Sequence, residues 1–350
     1  IDKYHHKTDG VFVGAGPDFV ADATVERLSL TDVAPVVMAL AGRQGEVDWA
    51  LGRAREIAEQ LDCRFADLRV ESTLNWCRHV GGEPVEAAER LEALIESSAD
   101  QLPIRERSLS FEELCWNYGM RGYSRKVLQL FERWSAINRE SREVGEEPAA
   151  AIYAPAMVHA RLCGRDEWAD AIRRASRRSF EQDQSPYLER VHRSAVIIDE
   201  AASGASLERV DEAIEARRQM GVDPKRAAFW SKDFFVYQVY ARYYQWRADG
   251  REDGGRLDQY AGAVDELAEA ADGHPTLLAH MLRHRAEVVA ARGETTEAAR
   301  HLGEAERLAA AHDNEWVSCG VALARATWFD SSIATAKTSS SSRTESNPTT

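Results

Sequence analysis

The fold of this 350-residue chain is indicated most clearly by residues 293–309, GETTEAARHLGEAERLA. This segment joins Gly293 to a small residue five positions later, Ala298, from which small and apolar residues recur at steps of three and four. Such spacing places one apolar face along a helix. The same arrangement recurs at six other glycines, loosely at Gly254 and clearly in the pairs Gly45/Ala50, Gly82/Ala87, Gly122/Val127, Gly164/Ala169 and Gly204/Val210.

These glycines recur with a period typical of repeat proteins. Subtraction of their residue numbers gives spacings of 37, 40, 42, 40, 50 and 39 residues. A second helical run precedes most of them, at residues 65–80, 110–121, 149–163, 187–202, 227–248 and 275–292. Two helices joined by a glycine-containing turn form an αα-hairpin, and neither buries its apolar face alone. We therefore expect an all-α fold, an α-solenoid of tandem αα-hairpins, over residues 44–329.

The hairpin pattern resembles the tetratricopeptide repeat family across roughly residues 44–329. The stretch Gly293-Glu-Thr-Thr-Glu-Ala298 is similar to the junction between the two helices of that motif. The resemblance implies a scaffold that binds a protein or peptide ligand and is not itself catalytic. The units are longer than the family's repeat of about 34 residues, and the Trp-Leu-Gly signature is mostly absent. A divergent helical repeat and a single irregular helical bundle are the alternatives.

Composition narrows the classes of partner. The chain has 58 acidic and 44 basic residues, a net charge of −14, whereas a nucleic-acid surface needs clustered basic residues. No stretch approaches the roughly 18 apolar residues of a membrane-spanning helix. The five cysteines are scattered without a Cys-x-x-Cys pair, as is typical of reduced thiols. We expect a cytoplasmic protein that binds neither nucleic acid nor membrane.

Residues 1–43 do not follow the repeat. The stretch HKTDGVFVGAGP at 6–17 contains a short apolar run at 10–17 that is closed by glycine and proline, and SLTDVAPVVMALAG occupies 29–42. Together they resemble the C-terminal end of the catalytic domain in the type I phosphodiesterase/nucleotide pyrophosphatase branch of the alkaline phosphatase superfamily. The resemblance implies a short α/β-type remnant and places His6 at a metal-ligand position.

Members of that superfamily use two metal ions, typically zinc, to activate a Thr or Ser nucleophile against a phosphate or sulfate ester. The nucleophile and the other ligands would lie upstream of Ile1, and one histidine does not hold two metals. The alternative hypothesis is therefore the C-terminal part of a metal-dependent phosphodiesterase, phosphatase or sulfatase-like hydrolase. We expect no catalysis and no cofactor in this chain alone, and two zinc ions if the upstream domain exists. The sensor region of a transcription regulator is a third possible class.

Two groups of residues are candidates for partner binding. Arg173, Arg174, Arg177 and Arg178 form a basic patch, which either pairs with neighbouring carboxylates or captures an acidic peptide or a C-terminal carboxylate. The densest aromatic run extends from Phe229 to Trp246. We expect some of it in the hairpin core and some, including Tyr240 and Tyr244, on a concave surface, where Tyr and Trp anchor peptides.

His280 and His284 lie four residues apart on one helical run, a spacing that binds zinc in the motif H-E-x-x-H. Met281 stands where that motif has glutamate, so we expect an ordinary, partly exposed helix face. The last segment, 331–350, has 12 Ser or Thr among its 20 residues and no aromatic residue. It cannot bury enough apolar surface to offset its ordering entropy, so we expect a disordered tail over 330–350.

Overall fold

The structure is a computed structural model that describes residues 44–60, 64–98, 104–144, 150–221, 223–227, 229–251 and 254–329. Within these ranges the regular elements are fourteen α-helices and a turn of 3-10 helix at Phe229–Ser231. The first seven α-helices are α1 (Gln44–Gln60), α2 (Arg64–Val80), α3 (Pro84–Ser98), α4 (Ile104–Arg121), α5 (Ser124–Val144), α6 (Tyr153–Leu162) and α7 (Asp166–Asp183). The other seven are α8 (Pro186–Ala202), α9 (Leu207–Arg218), α10 (Asp233–Ala248), α11 (Gly254–Ala271), α12 (Pro275–Ala291), α13 (Thr295–Ala311) and α14 (Glu315–Trp328).

The prediction of an all-α, repeat-like array is confirmed for the described residues. The expected α/β-type remnant over 1–43, with His6, and the expected tail over 330–350 lie outside them. The chain divides into two compact units, Ile1–Ser110 and Phe111–Thr350, and the division falls within α4. In the first unit, α1 packs on α2 and α2 on α3, around a small core of Leu51, Val70 and Cys77.

Glycine ends the first helix of six successive hairpins in the same backbone geometry. At Gly293, for example, φ is +88°, the Gly293 amide donates to the Ala290 carbonyl, and the Glu294 amide donates to the Val289 carbonyl. These two hydrogen bonds form a Schellman-type cap, which needs a left-handed residue that glycine adopts without a steric penalty. The equivalent glycines, all with positive φ, are Gly82, Gly122, Gly164, Gly204 and Gly250.

Two of the seven glycines chosen from the sequence are not turn residues. Gly45 lies inside α1, and Gly254 is the first residue of α11. The turn glycine in that hairpin is Gly250, which is 46 residues after Gly204 and 43 before Gly293 by subtraction. The repeat is therefore more even than the sequence pattern suggested.

The small residue that follows each turn glycine lies at a helix contact. It is at most 1 % exposed in five hairpins, at Ala87, Val127, Ala169, Val210 and Ala298. A small or β-branched side chain at this position lets the two helices of a hairpin approach closely, whereas a larger one would overpack the contact. This explains why the glycine and the small residue recur together.

In the second unit, two first helices of the hairpins, α6 and α10, are buried on nearly all sides. Residues Tyr153–Arg161 of α6 are all buried, as are twelve of the sixteen residues of α10. The first helices pack on one another as well as on their hairpin partners: α6 on α8, α8 on α10, α10 on α12, and α12 on α14. Their side chains therefore fill the interior of the unit.

Trp316, near the start of α14, joins the last described helix to three earlier first helices in the second unit. Its ring centroid lies 4.6 Å from that of Tyr240, 5.5 Å from that of His280 and 5.9 Å from that of His159. Beside it, the turn between α4 and α5 approaches the start of α14 so closely that a Cβ on Gly122 would lie 2.6 Å from the Trp316 amide nitrogen. We call this the Trp316 contact.

The side chain of a buried arginine connects the turn before α14 to the end of α4. Arg121 donates from Nη2 to the Asp313 carboxylate at 2.7 Å and from Nε to the His312 and Asp313 carbonyls, each at 3.1 Å. The His280 imidazole also donates from Nε2 to the Met120 carbonyl at 2.8 Å. Residues far apart in sequence thus close the interior of the second unit.

Candidate anion-binding pocket

Helix α7 carries the basic patch on two adjoining rows. Arg173 and Arg177 are four residues apart, as are Arg174 and Arg178, so each pair shares one face of the helix. The first pair lines a pocket. Arg174 and Arg178 lie exposed beside it and form no ion pair with any residue that the structure describes.

The pocket lies between α7, α8 and α9 and has a volume of about 310 Å³. Its charged wall consists of Arg173, Arg177, Glu181 and Arg193. Its other lining side chains are Phe180, His192, Val196, Ala213 and Ala216. The pocket therefore combines a cationic wall with a largely apolar remainder.

Buried carboxylates hold Arg173 in place. Its Nη1 donates to Asp199 at 3.0 Å and its Nη2 to Glu200 at 2.6 Å. Asp199 also accepts from Arg161 Nε at 2.7 Å, and Glu200 accepts from Arg209 Nη2 at 2.7 Å. Because both carboxylates are almost fully buried and each has two arginine donors, the Arg173 guanidinium is fixed before any ligand arrives.

The other two arginines of the wall are each held at one edge only. Arg177 donates from Nε to Glu181, and Arg193 donates from Nε and Nη2 to Glu189. Both carboxylates are four residues away on the same helix, so these are i,i+4 pairs. Both Nη atoms of Arg177, and Nη1 of Arg193, form no hydrogen bond with a described residue. These nitrogens are the ones that remain for a ligand.

His192 reports the electrostatic character of the pocket. Its Nδ1 lies 2.9 Å from the Ser176 hydroxyl, and its ring packs against Phe180 with centroids 5.1 Å apart. Burial, and then the charges of Arg173, Arg193 and Arg177, lower its pKa from 6.5 to about 4. The imidazole is therefore neutral at pH 7, chiefly because it is buried.

The predicted tyrosines do not join the arginines in this pocket. Tyr240 is only 4 % exposed, contacts Trp316 and donates from its hydroxyl to His280 Nδ1 at 3.1 Å, because the neutral imidazole carries its proton on Nε2. Tyr244, on the same helix, is half-buried. The expectation of Tyr240 on an exposed concave surface is thus corrected, because the packed first helices occupy that space. A partner-binding role for Tyr244 stays a prediction.

The histidine pair of α12 also differs from expectation. His280 and His284 are fully buried rather than on a partly exposed face, and their Nδ1 atoms lie 3.1 Å from the Tyr240 hydroxyl and 2.6 Å from the Tyr260 hydroxyl. Burial lowers the pKa of His280 to about 4. Among the described residues, no group of three or more His, Cys, Asp or Glu side chains is arranged to hold a metal ion.

Sequence reasoning missed the part of the pocket that α8 and α9 supply. His192, Arg193 and Val196 lie within one amphipathic run, where they resemble ordinary helix-surface and core residues. Glu189 and Arg193 show a recognisable i,i+4 spacing, but that spacing does not reveal that Arg193 faces α7. Only the packing of three helices identifies the set.

Comparison with known proteins gives no family for the chain. No protein-family model matches it, and no curated protein or solved structure is significantly similar to it. None of the helices in the described ranges is both long and apolar enough to cross a membrane.

Proposed function

We propose that the chain is a protein-binding scaffold of tetratricopeptide-like hairpins that captures an anionic segment of a partner protein in the α7–α9 pocket. The observation that carries this proposal is the convergence of Arg173, Arg177 and Arg193 on one cavity with an apolar remainder. Arginine recognises carboxylate and phosphate groups through planar, paired hydrogen bonds. The apolar lining suits a neighbouring side chain of the same segment.

The ion pairs beneath the pocket favour binding because they reduce its entropic cost. Holding a flexible side chain at an interface costs roughly 0.5–1.5 kcal/mol. Arg173 is already held by Asp199 and Glu200, and Arg177 and Arg193 are held along one edge. The Arg173 guanidinium is therefore set in position before a ligand arrives, whereas the exposed Arg177 is restrained only by its pair with Glu181. The exposed Arg174 and Arg178 extend the cationic surface beside the pocket.

The overall charge of the chain adds selectivity. A net charge of −14 repels anions at long range, so an anionic segment is retained only where the local charge is reversed. The array should accordingly bind through one site rather than through general attraction. Rising ionic strength should weaken that binding, since Arg177 lies at an exposed rim.

The test is fluorescence anisotropy with short peptides blocked at both termini, which contain Asp, Glu or phosphoserine, against neutral peptides of the same length. Anionic peptides should bind more tightly, and Arg177→Gln should weaken them. Arg307→Gln is the matched control, because Arg307 is 64 % and Arg177 69 % exposed at the side chain and each pairs with a glutamate on its own helix. The proposal fails if no anionic peptide exceeds its neutral counterpart, or if both variants bind alike.

The hydrolase hypothesis stays a prediction, because residues 5–42 and His6, which carry that resemblance, lie outside the described residues. The expected cytoplasmic location likewise stays a prediction.

A further inference from the structure

We propose that two copies of this chain form a two-fold symmetric dimer through α14, with the α14 of each copy lying on the open side of the other's α14. This interface lies away from the α7–α9 pocket and is independent of the ligand that the pocket binds.

Helix α14 is packed on one side only. It follows the pattern of a first helix, but no second helix follows it in the part of the chain that the structure describes. Nine of the ten residues of α6 and twelve of the sixteen of α10 are buried, whereas only Val317, Val321 and Ala324 are buried among the fourteen of α14. The packed side contacts α12 and α13, so the opposite side is open.

The open side of α14 is apolar where a second helix would lie. Leu323 is 47 % exposed and Phe329 is 39 % exposed. Beside α13 the surface forms a groove of about 570 Å³, lined by Ala299, Leu302, Ala322, Arg325, Ala326 and Phe329. Repeat arrays normally end in a helix with a polar outer side, so an apolar end is a surface that another element covers.

A second copy supplies a helix that runs in the required direction. The two helices of an αα-hairpin are antiparallel, and a two-fold axis across α14 also makes α14 antiparallel to its counterpart. Ala322 and Ala326 lie four residues apart on the open side, and their small side chains let two such helices approach closely. The α14 of the second copy can therefore occupy the place of a second helix, and the symmetry covers both copies at once.

The local charge permits two copies to meet here, although the whole chain carries −14. Helices α13 and α14 together contain four glutamates and three arginines. Each arginine pairs with a glutamate of α13, in the pairs Arg300–Glu297, Arg307–Glu304 and Arg325–Glu306. Because the charges around the groove are nearly balanced, like-charge repulsion at the contact is weak and does not prevent burial of the apolar side.

The segment that follows α14 in the sequence is a poorer occupant. Residues 330–350 contain three aliphatic residues, Ile333, Ala334 and Ala336, all within four positions, and no aromatic residue. A helix that covers α14 needs apolar residues at steps of three and four over several turns. The composition of 330–350 does not provide them.

Sedimentation velocity of the full chain over a range of protein concentrations tests the dimer. The mass should rise from 39.1 kDa toward twice that value as the concentration increases. Leu323→Glu and Ala322→Glu should each weaken the dimer about tenfold or more, because each places a charge in the apolar contact. Leu109→Glu is the matched control, since Leu109 is 41 % exposed and lies on α4, and it should leave the dimer intact. Far-UV circular dichroism verifies that each variant is folded.

Hydrogen-exchange mass spectrometry at low and high protein concentration identifies what covers α14. Exchange in α14 should slow as the concentration of wild type rises, and should not slow in Leu323→Glu. A chain that stays monomeric at every concentration would overturn the proposal. In that case, slow exchange that Leu323→Glu accelerates would assign the open side to residues 330–350, and fast exchange would leave it to a different protein. A dimer that both glutamate variants retain would also overturn the proposal, because its contact would lie elsewhere.

Discussion

Replacing Gly122 by alanine should destabilise the second unit more than the same change at Gly293. Both glycines end a helix at φ +88°, so both substitutions impose the same left-handed backbone on an alanine. They differ in their surroundings. A Cβ at Gly293 meets nothing within 4 Å, whereas a Cβ at Gly122 would lie 2.6 Å from the Trp316 amide nitrogen and 2.8 Å from the Trp316 Cβ.

The magnitude follows from two separate costs. A left-handed conformation costs a non-glycine residue about 1–2 kcal/mol, and this applies to both variants. Overpacking a tight contact adds about 1–3 kcal/mol at Gly122 alone, because the nearest atoms belong to backbone and Cβ and cannot rotate away. Gly122→Ala should therefore cost about 2–5 kcal/mol in total, out of the roughly 5–15 kcal/mol that stabilises a typical domain.

Urea denaturation followed by far-UV circular dichroism gives the two free energies of unfolding. The difference between the variants isolates the Trp316 contact from the backbone cost. If the Gly122→Ala protein were as stable as the Gly293→Ala protein, the predicted Trp316 contact would be wrong, because the turn after α4 would then not pack on the start of α14 in solution.

Three further predictions concern buried groups of the second unit. The pKa of His280 is lowered to about 4 by burial, so as the pH falls through about 6.5 the unfolded chain binds the proton first, and stability is lost down to pH 4. In urea denaturation, the free energy of unfolding of the wild type should fall by about 2 kcal/mol more between pH 7 and pH 5 than that of His280→Gln. Burial raises the pKa of Asp233 to about 7, and its titration affects both proteins equally. Equal losses would contradict this account of His280. Asp199→Asn should lower stability by about 3 kcal/mol and also weaken peptide binding, because it removes a fully buried anion that holds Arg161 and Arg173; unchanged thermal unfolding would argue against it. Trp316→Ala should speed amide exchange of α14 in hydrogen-exchange mass spectrometry, and unchanged exchange rates would show that the contact contributes little.

The sequence was sufficient to predict the hairpins because their signals are local. A glycine followed five residues later by a small residue is visible in the sequence at Gly293 and Ala298, and a similar pair recurs in four other hairpins, where the glycine has a positive φ and the small residue is buried. At Gly254 the signal misled, since the stretch 250–255 contains three glycines and, of these three, only Gly250 has the positive φ of a turn. Gly45 is the second residue of α1, which begins directly after residues that the structure does not describe.

The candidate site was only half accessible to sequence reasoning. Arg173 and Arg177 stand out as a basic cluster, but the roles of Arg193 and His192 depend on how α8 packs against α7. Tyr240 was misplaced for a related reason. The pattern of apolar residues along α10 does not show that other helices cover its second side. The contact of Tyr240 with Trp316 joins residues that are far apart in sequence.

Hydrogen-exchange mass spectrometry of the protein with and without a saturating anionic peptide tests most directly whether the ligand binds in the α7–α9 pocket. Protection is expected in residues 166–218, which form α7, α8 and α9, and not in α10 or α12, whose side chains fill the interior. Protection concentrated in α10 and α12, with residues 166–218 unchanged, would contradict the account, because the ligand would then bind inside the unit and not in the arginine-lined pocket.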